Sequence, residues 1–176
     1  MDLSKLYERA GETKNSPAAR DTALLGARVV LAWLFVYHGA ETLFGAFHGP
    51  GIQRAEIFYG QIAGLHPAVF FTVLGGCIEF FGGIGVGLGI LGRLAAAGLV
   101  GDMLMAMITV TFANGVASNR PGGGYELNLA LIGVGFVVAL LGTGSWSLDA
   151  VIRSRWSHRR PALVLHPNNR DHLAAS

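Results

Sequence analysis

Residues 68–113 read AVFFTVLGGCIEFFGGIGVGLGILGRLAAAGLVGDMLMAMITVTFA, with charges only at Glu79, Arg93 and Asp102. A helix of ~20 apolar residues crosses the ~30 Å hydrocarbon core of a bilayer, so this stretch is long enough for two crossings. The break falls at Ile90-Leu91-Gly92-Arg93, which divides it into spans at 68–91 and 94–113. A turn that tight makes the two helices antiparallel neighbours. Working outward, 24–47 and 127–146 are apolar stretches of the same kind. The expected fold is all-α, a four-helix transmembrane bundle. Ser16-Pro17 reads as an N-cap followed by proline at the first helical position, prolonging the first helix inward.

Composition agrees with a lipid environment. Hydrophobic residues make up 52% of the 176 and charged residues 14%, about half the share in a soluble domain. The basic residues lie in the tails without an aromatic-basic face, which argues against nucleic acid as a partner. The single cysteine, Cys77, excludes an internal disulfide and Cys-x-x-Cys chemistry. The first 23 residues are polar and do not read as a secretory signal.

Orientation follows from lysine and arginine. Eleven of them, from Lys5 through Arg28 and Arg93 to Arg170, fall on one side of the four spans, and two, Arg54 and Arg120, on the other. By the positive-inside rule both termini and the short turn are cytoplasmic (N-in/C-in), in a multi-pass protein of the plasma (inner) membrane. Residues 1–23 form an N-terminal amphipathic segment (Leu3, Leu6, Tyr7, Ala10), 24–146 the membrane domain and 147–176 a basic tail. Leu148, Val151, Ile152 and Trp156 recur at helical spacing after a Ser147 N-cap, so short surface helices are expected at both ends. The connection from His48 to Pro67 reads as a long outer loop.

Each span contributes one carboxylate: Glu41, Glu79, Asp102 and Glu126. A charge within a span costs ~2.5–3.5 kcal/mol on insertion scales, so each is a functional candidate. Glu79 shares a stripe with Gly76, Gly83 and Gly87, and Asp102 with Ala95, Gly98, Ala106 and Thr109. Small residues mark helix-helix contact in lipid, so both acids are expected to face the bundle interior. His38, Glu41, Thr42 and Gly45 share a face of the first span.

A carboxyl group held away from water rests protonated; it can donate a hydrogen bond to a carbonyl or pass a proton on. That chemistry suits a quinone, with Glu79 and Asp102 as proton-handling groups and His38 and Glu41 in the same relay. Glu126, Asn128, Asn114 and Thr42 are the expected cofactor-binding groups toward the outer rim. Glu126 also reads as a carboxylate stabilising a helix N-terminus. No metal site is expected, because no second histidine joins His38 within the spans.

Several pieces, in order, carry a resemblance. The first span contains Tyr37-His38-Gly39-Ala40-Glu41-Thr42-Leu43-Phe44-Gly45 and the second Glu79-Phe80-Phe81-Gly82-Gly83. Asp102-Met103-Leu104-Met105-Ala106 follows in the third, then Gly124-Tyr125-Glu126-Leu127 and Gly142-Thr143-Gly144-Ser145-Trp146-Ser147-Leu148-Asp149. Over roughly 28–149 the chain resembles the DoxX family of small four-helix membrane proteins. Thr42 stands where that family usually has lysine. The resemblance implies a redox or respiratory setting, because the family includes membrane subunits resembling thiosulfate:quinone oxidoreductases; fold analogy alone does not fix a reaction.

The expected function is therefore an integral membrane subunit of a redox system that interacts with a quinone. A non-catalytic scaffold or accessory subunit, with the glycine stripes as docking faces, stays open, as does a small transporter. The partners implied are the lipid bilayer and a membrane or peripheral redox protein, and a homo-oligomer stays open.

Overall fold

A computed structural model describes Ser4 and residues 16–119 and 122–157. Among these the chain is all-helical. The first helix, α1, spans Pro17–Phe44. It starts where expected: the Ser16 side chain accepts a hydrogen bond from the Ala19 amide at 3.1 Å, and Pro17 supplies the preset φ of a first helical residue. It stops at Gly45, whose φ of 64° is left-handed and whose amide reaches back to Ala40 and Glu41 carbonyls.

The connection read as an outer loop contains a helix. Gly51–Ile57 (α2) runs on into a wider π turn at Phe58–Ile62. Within that connection Pro50, between Gly49 and Gly51, is the N-cap of α2. Gly49 lets the chain fold back on α1, since a Cβ there would lie 2.5 Å from that of Glu41.

The next two helices are α3, Ala68–Leu88, and α4, Gly92–Ala106, which continues through a π turn at Met107–Thr111 and a 3-10 turn at Phe112–Asn114. Then come α5, Glu126–Leu141, and α6, Leu148–Ser157. Among the described residues three helical runs are long and apolar enough to cross a membrane: Pro17–Phe44, Ala68–Leu88 and Gly92–Asn114. The fourth, α5, is apolar but shorter at 16 residues. The stretch expected to be helical through Trp146 ends at Gly142, where φ is 81°. Ser147 caps α6 as its sequence suggested, its Oγ accepting from the Ala150 amide at 3.2 Å.

Helix α3 packs on α1 and α4, and α4 packs on α5, which also meets α1. The glycines of α3 make this possible. A Cβ at Gly83 would meet Val36 at 2.9 Å, one at Gly87 would meet Ala32 at 2.9 Å, and Gly76 faces Leu43. On the other side Gly82 and Gly85 press on Leu99 and Ala95 of α4. Backbones approach closely there, which is the main source of helix-helix attraction where no water is displaced. Leu31, Phe35, Val86, Ala96, Leu99 and Val138 form the buried core, while Trp33, Phe81, Leu94, Ile108 and Leu140 point outward. An apolar exterior around a small core is the pattern of a protein solvated by lipid.

Arg28, counted above with the cytoplasmic cations, is 2% exposed. Its guanidinium donates to the carbonyls of Val86 (2.8 Å), Gly87 (2.6 Å), Thr143 (2.8 Å) and Trp146 (2.7 Å). One side chain thus ties α1 to the C-terminal end of α3 and to the link between α5 and α6. Asp149 does the complementary work for α4: its carboxylate accepts from the amides of Leu91 (3.1 Å) and Gly92 (3.2 Å). The N-terminal amphipathic segment and the tail beyond Ser157 lie outside the described residues.

Candidate functional site

A cavity of about 490 Å³ opens between α1, α2, α3 and α4. Glu79 and Asp102 both line it, each near the middle of its helix. From α1 come His38, Glu41 and Thr42. His38 Nδ1 lies 3.1 Å from Glu41 Oε2, so imidazole and carboxylate form one unit at the mouth. The His38 side chain is 55% exposed and that of Glu41 22%, which grades the site from an open rim toward the inner acids. Five of the eight sequence-derived candidates therefore share one cavity.

The other three do not reach it. Glu126 opens α5, and its carboxylate accepts from the Ser118 amide at 2.9 Å, stitching the preceding loop to the helix start. Asn114 donates to the carbonyls of Gly122 and Gly123, both at 3.0 Å, closing the same loop. Asn128 sits behind the cavity wall: its Oδ1 accepts from Thr111 at 3.2 Å and its Nδ2 faces the Met103 sulfur at 3.6 Å. Both of those neighbours line the cavity, so Asn128 supports the wall.

Two groups that the sequence pattern did not single out belong to the site. Arg54 and Tyr59, carried by α2 and its π turn, line the cavity opposite the acids. Arg54 supplies a cation to a space that also holds Thr42. Tyr59 is held close to α3 because Gly75 has no side chain; a Cβ there would lie 2.5 Å from the phenol oxygen. Burial, with the Glu79 and Asp102 carboxyl groups nearby, pushes the Tyr59 phenol above its ordinary value, so it stays a hydrogen-bond donor at neutral pH. A signal was present: Ile52, Ala55, Tyr59 and Ile62 recur at helical spacing.

Both π turns lie beside this cavity. The wider i→i+5 turn brings Phe58 and Tyr59 to one wall, and Thr109, Val110 and Thr111 to another. Apolar groups such as Ala55, Phe58, Leu65 and Val110 complete the lining. An apolar chamber with a few convergent polar groups is the form of a small-molecule site. Among the described residues no three His, Cys, Asp or Glu side chains converge to hold a metal ion.

A protein-family model described as DoxX matches residues 23–112, more than half of the chain. That range holds His38, Glu41, Thr42, Arg54, Tyr59, Glu79 and Asp102; the likeness over 124–149 rests on its motifs alone. No curated protein and no solved structure matches the chain. With this family match and its long apolar helices, the chain is a multi-pass integral membrane protein and belongs to the DoxX family.

Proposed function

We propose that the chain is a four-span, N-in/C-in subunit of a redox system in the plasma membrane, and that its cavity takes the head group of a quinone. The carrying observation is that Glu79 and Asp102 meet in one apolar-walled chamber with Tyr59. A quinone supplies chemistry in which two electrons travel with two protons. The residues present fit such a group: protonated carboxyls and a phenol donate to carbonyl oxygens, while Phe58, Leu65 and Val110 pack on a ring. Glu79 and Asp102 hold and release protons. His38 and Glu41 connect them to the open rim, and Arg54 adds a cation to the lining. No electron carrier is needed within the chain if a redox partner docks on it.

The test is purification in mild detergent, followed by extraction of bound quinone. The wild-type protein is expected to retain quinone in near-stoichiometric amount and Asp102→Asn to lose most of it, with helicity unchanged. Glu79→Gln is expected to behave likewise. Wild-type protein that binds no added quinone, or an Asp102→Asn variant that binds it as well as wild type, sinks the reading.

An accessory-subunit reading keeps one support. Most glycines of α3 are covered within the chain, but a Cβ added at Gly26, Gly101 or Gly133 would meet nothing within 4 Å, so these positions are free to receive a partner helix.

A further inference from the structure

The helix ends farthest from the acid-lined cavity enclose a second space, a crevice of about 920 Å³. Three guanidinium groups line it from three elements: Arg20 of α1, Arg93 of α4 and Arg153 of α6. Two carboxylates are also present, and both are committed to the chain. Asp21 accepts from the amide of Ser145 at 3.1 Å and from its hydroxyl. Asp149 accepts from the amides of Leu91 and Gly92. Arg20 donates from Nη2 to the Leu141 carbonyl at 3.1 Å and keeps its other donors. Among the described residues no hydrogen bond or ion pair engages Arg93 or Arg153. Arg93 lies over Gly142, where an added Cβ would come within 3.1 Å of its Nε. Cationic donors thus exceed the acceptors that this part of the chain offers them.

The depth of the crevice follows from α6. Leu148, Val151, Ile152 and Trp156 are exposed on that helix, and Trp146 just before it is 54% exposed. A short helix with an exposed apolar face and arginines elsewhere lies in the plane of the interface, and tryptophans settle at headgroup level. Leu141, which also lines the crevice, is 46% exposed and offers an apolar exit. A group with several anionic oxygens fits the guanidinium forks, and a lipid attached to it fits the exit.

The geometry points to a binding site for the phosphate of an anionic phospholipid, held by Arg93 and Arg153 with Arg20 at the rim. Such a site is independent of the quinone reading, because it shares no residue with that cavity.

The full-length chain, in nanodiscs of phosphatidylcholine with or without phosphatidylglycerol, provides the test. Lipids retained by the protein are counted by native mass spectrometry, and thermal unfolding is followed in parallel. Wild type is expected to retain phosphatidylglycerol in preference. The double variant Arg93→Gln/Arg153→Gln is expected to bind it about tenfold or more weakly. Arg155→Gln, which removes the same single charge from α6 as Arg153→Gln does but outside the crevice, is expected to keep the preference. If the double variant loses helicity, Arg153→Gln alone carries the test, with Arg93→Lys/Arg153→Lys expected to restore part of the binding. Equal retention by wild type and a folded glutamine variant overturns the proposal, and so does an equal loss in Arg155→Gln. Inorganic phosphate that protects the protein as well as phosphatidylglycerol does would assign the crevice to a soluble anion and overturn the lipid assignment.

Discussion

Arg28 is the residue whose role is farthest from its appearance in the sequence. Read as one of eleven cations, it is a topology signal; in the fold it is a buried clamp on four carbonyls. Each hydrogen bond from a charged donor is worth ~1.5–3 kcal/mol, and carbonyls left without a partner cost more away from water. Arg28→Met is therefore expected to destabilise the protein by about 3 kcal/mol or more. Arg28→Lys should recover only part of that, since an ammonium has three donors and lacks the planar fork. Thermal unfolding in one mild detergent, compared across the three proteins, checks the order. Local pattern did suggest which acids face inward: Glu79 and Asp102 sit on small-residue stripes, and a stripe can be read from spacing. It did not reveal what Arg28 touches, because its partners lie 58 to 118 residues away. Arg54 was hidden for the same reason: as an outer cation it carried no mark of the cavity it enters.

At the scale of elements, the long spans were legible because hydropathy and length are local properties. The tight turn after α3 was legible too. Where the reading ran long or short, glycine and proline were the cause. Gly142 ended α5 five residues early because a left-handed turn there lets Thr143 and Trp146 present their carbonyls to Arg28. Pro50 opened α2 within a connection expected to be a loop. The start of α4 rests on a neighbouring element, since Asp149 caps it from the start of α6. Asp149→Asn removes the charge from that cap and is expected to cost roughly 1 kcal/mol. Faster hydrogen exchange at the Leu91 and Gly92 amides, without change in the middle of α3, is the expected signature. Unchanged exchange there would show that the turn holds without the carboxylate.

For the whole molecule, one polar space runs from the mid-helix acids to His38 near the end of α1, and the arginine-lined crevice lies at the opposite helix ends. In the proposed orientation the arginine end faces the cytoplasm, as the positive-inside rule expects of it. A green fluorescent protein fused after Ser176 is expected to fluoresce, and alkaline phosphatase fused there to be inactive. In a Cys77→Ser background, Ser118→Cys should react with a membrane-impermeant maleimide added outside intact cells. Labelling only after the cells are broken would invert the orientation.

The clamp around Arg28 also sets an order on biogenesis. The first span leaves the ribosome with a charge in its N-terminal half, and two of the carbonyls that satisfy it, Thr143 and Trp146, are translated more than a hundred residues later. Until then the nascent chain holds a half-satisfied cation among the helices already made. A chain that stalls or is cut before Gly142 keeps every residue of the acid-lined cavity, yet its first span never acquires its full set of acceptors. Such a fragment is expected to be degraded rather than to accumulate, so that translation of the segment after α5 is the step at which the protein becomes resistant to membrane proteases.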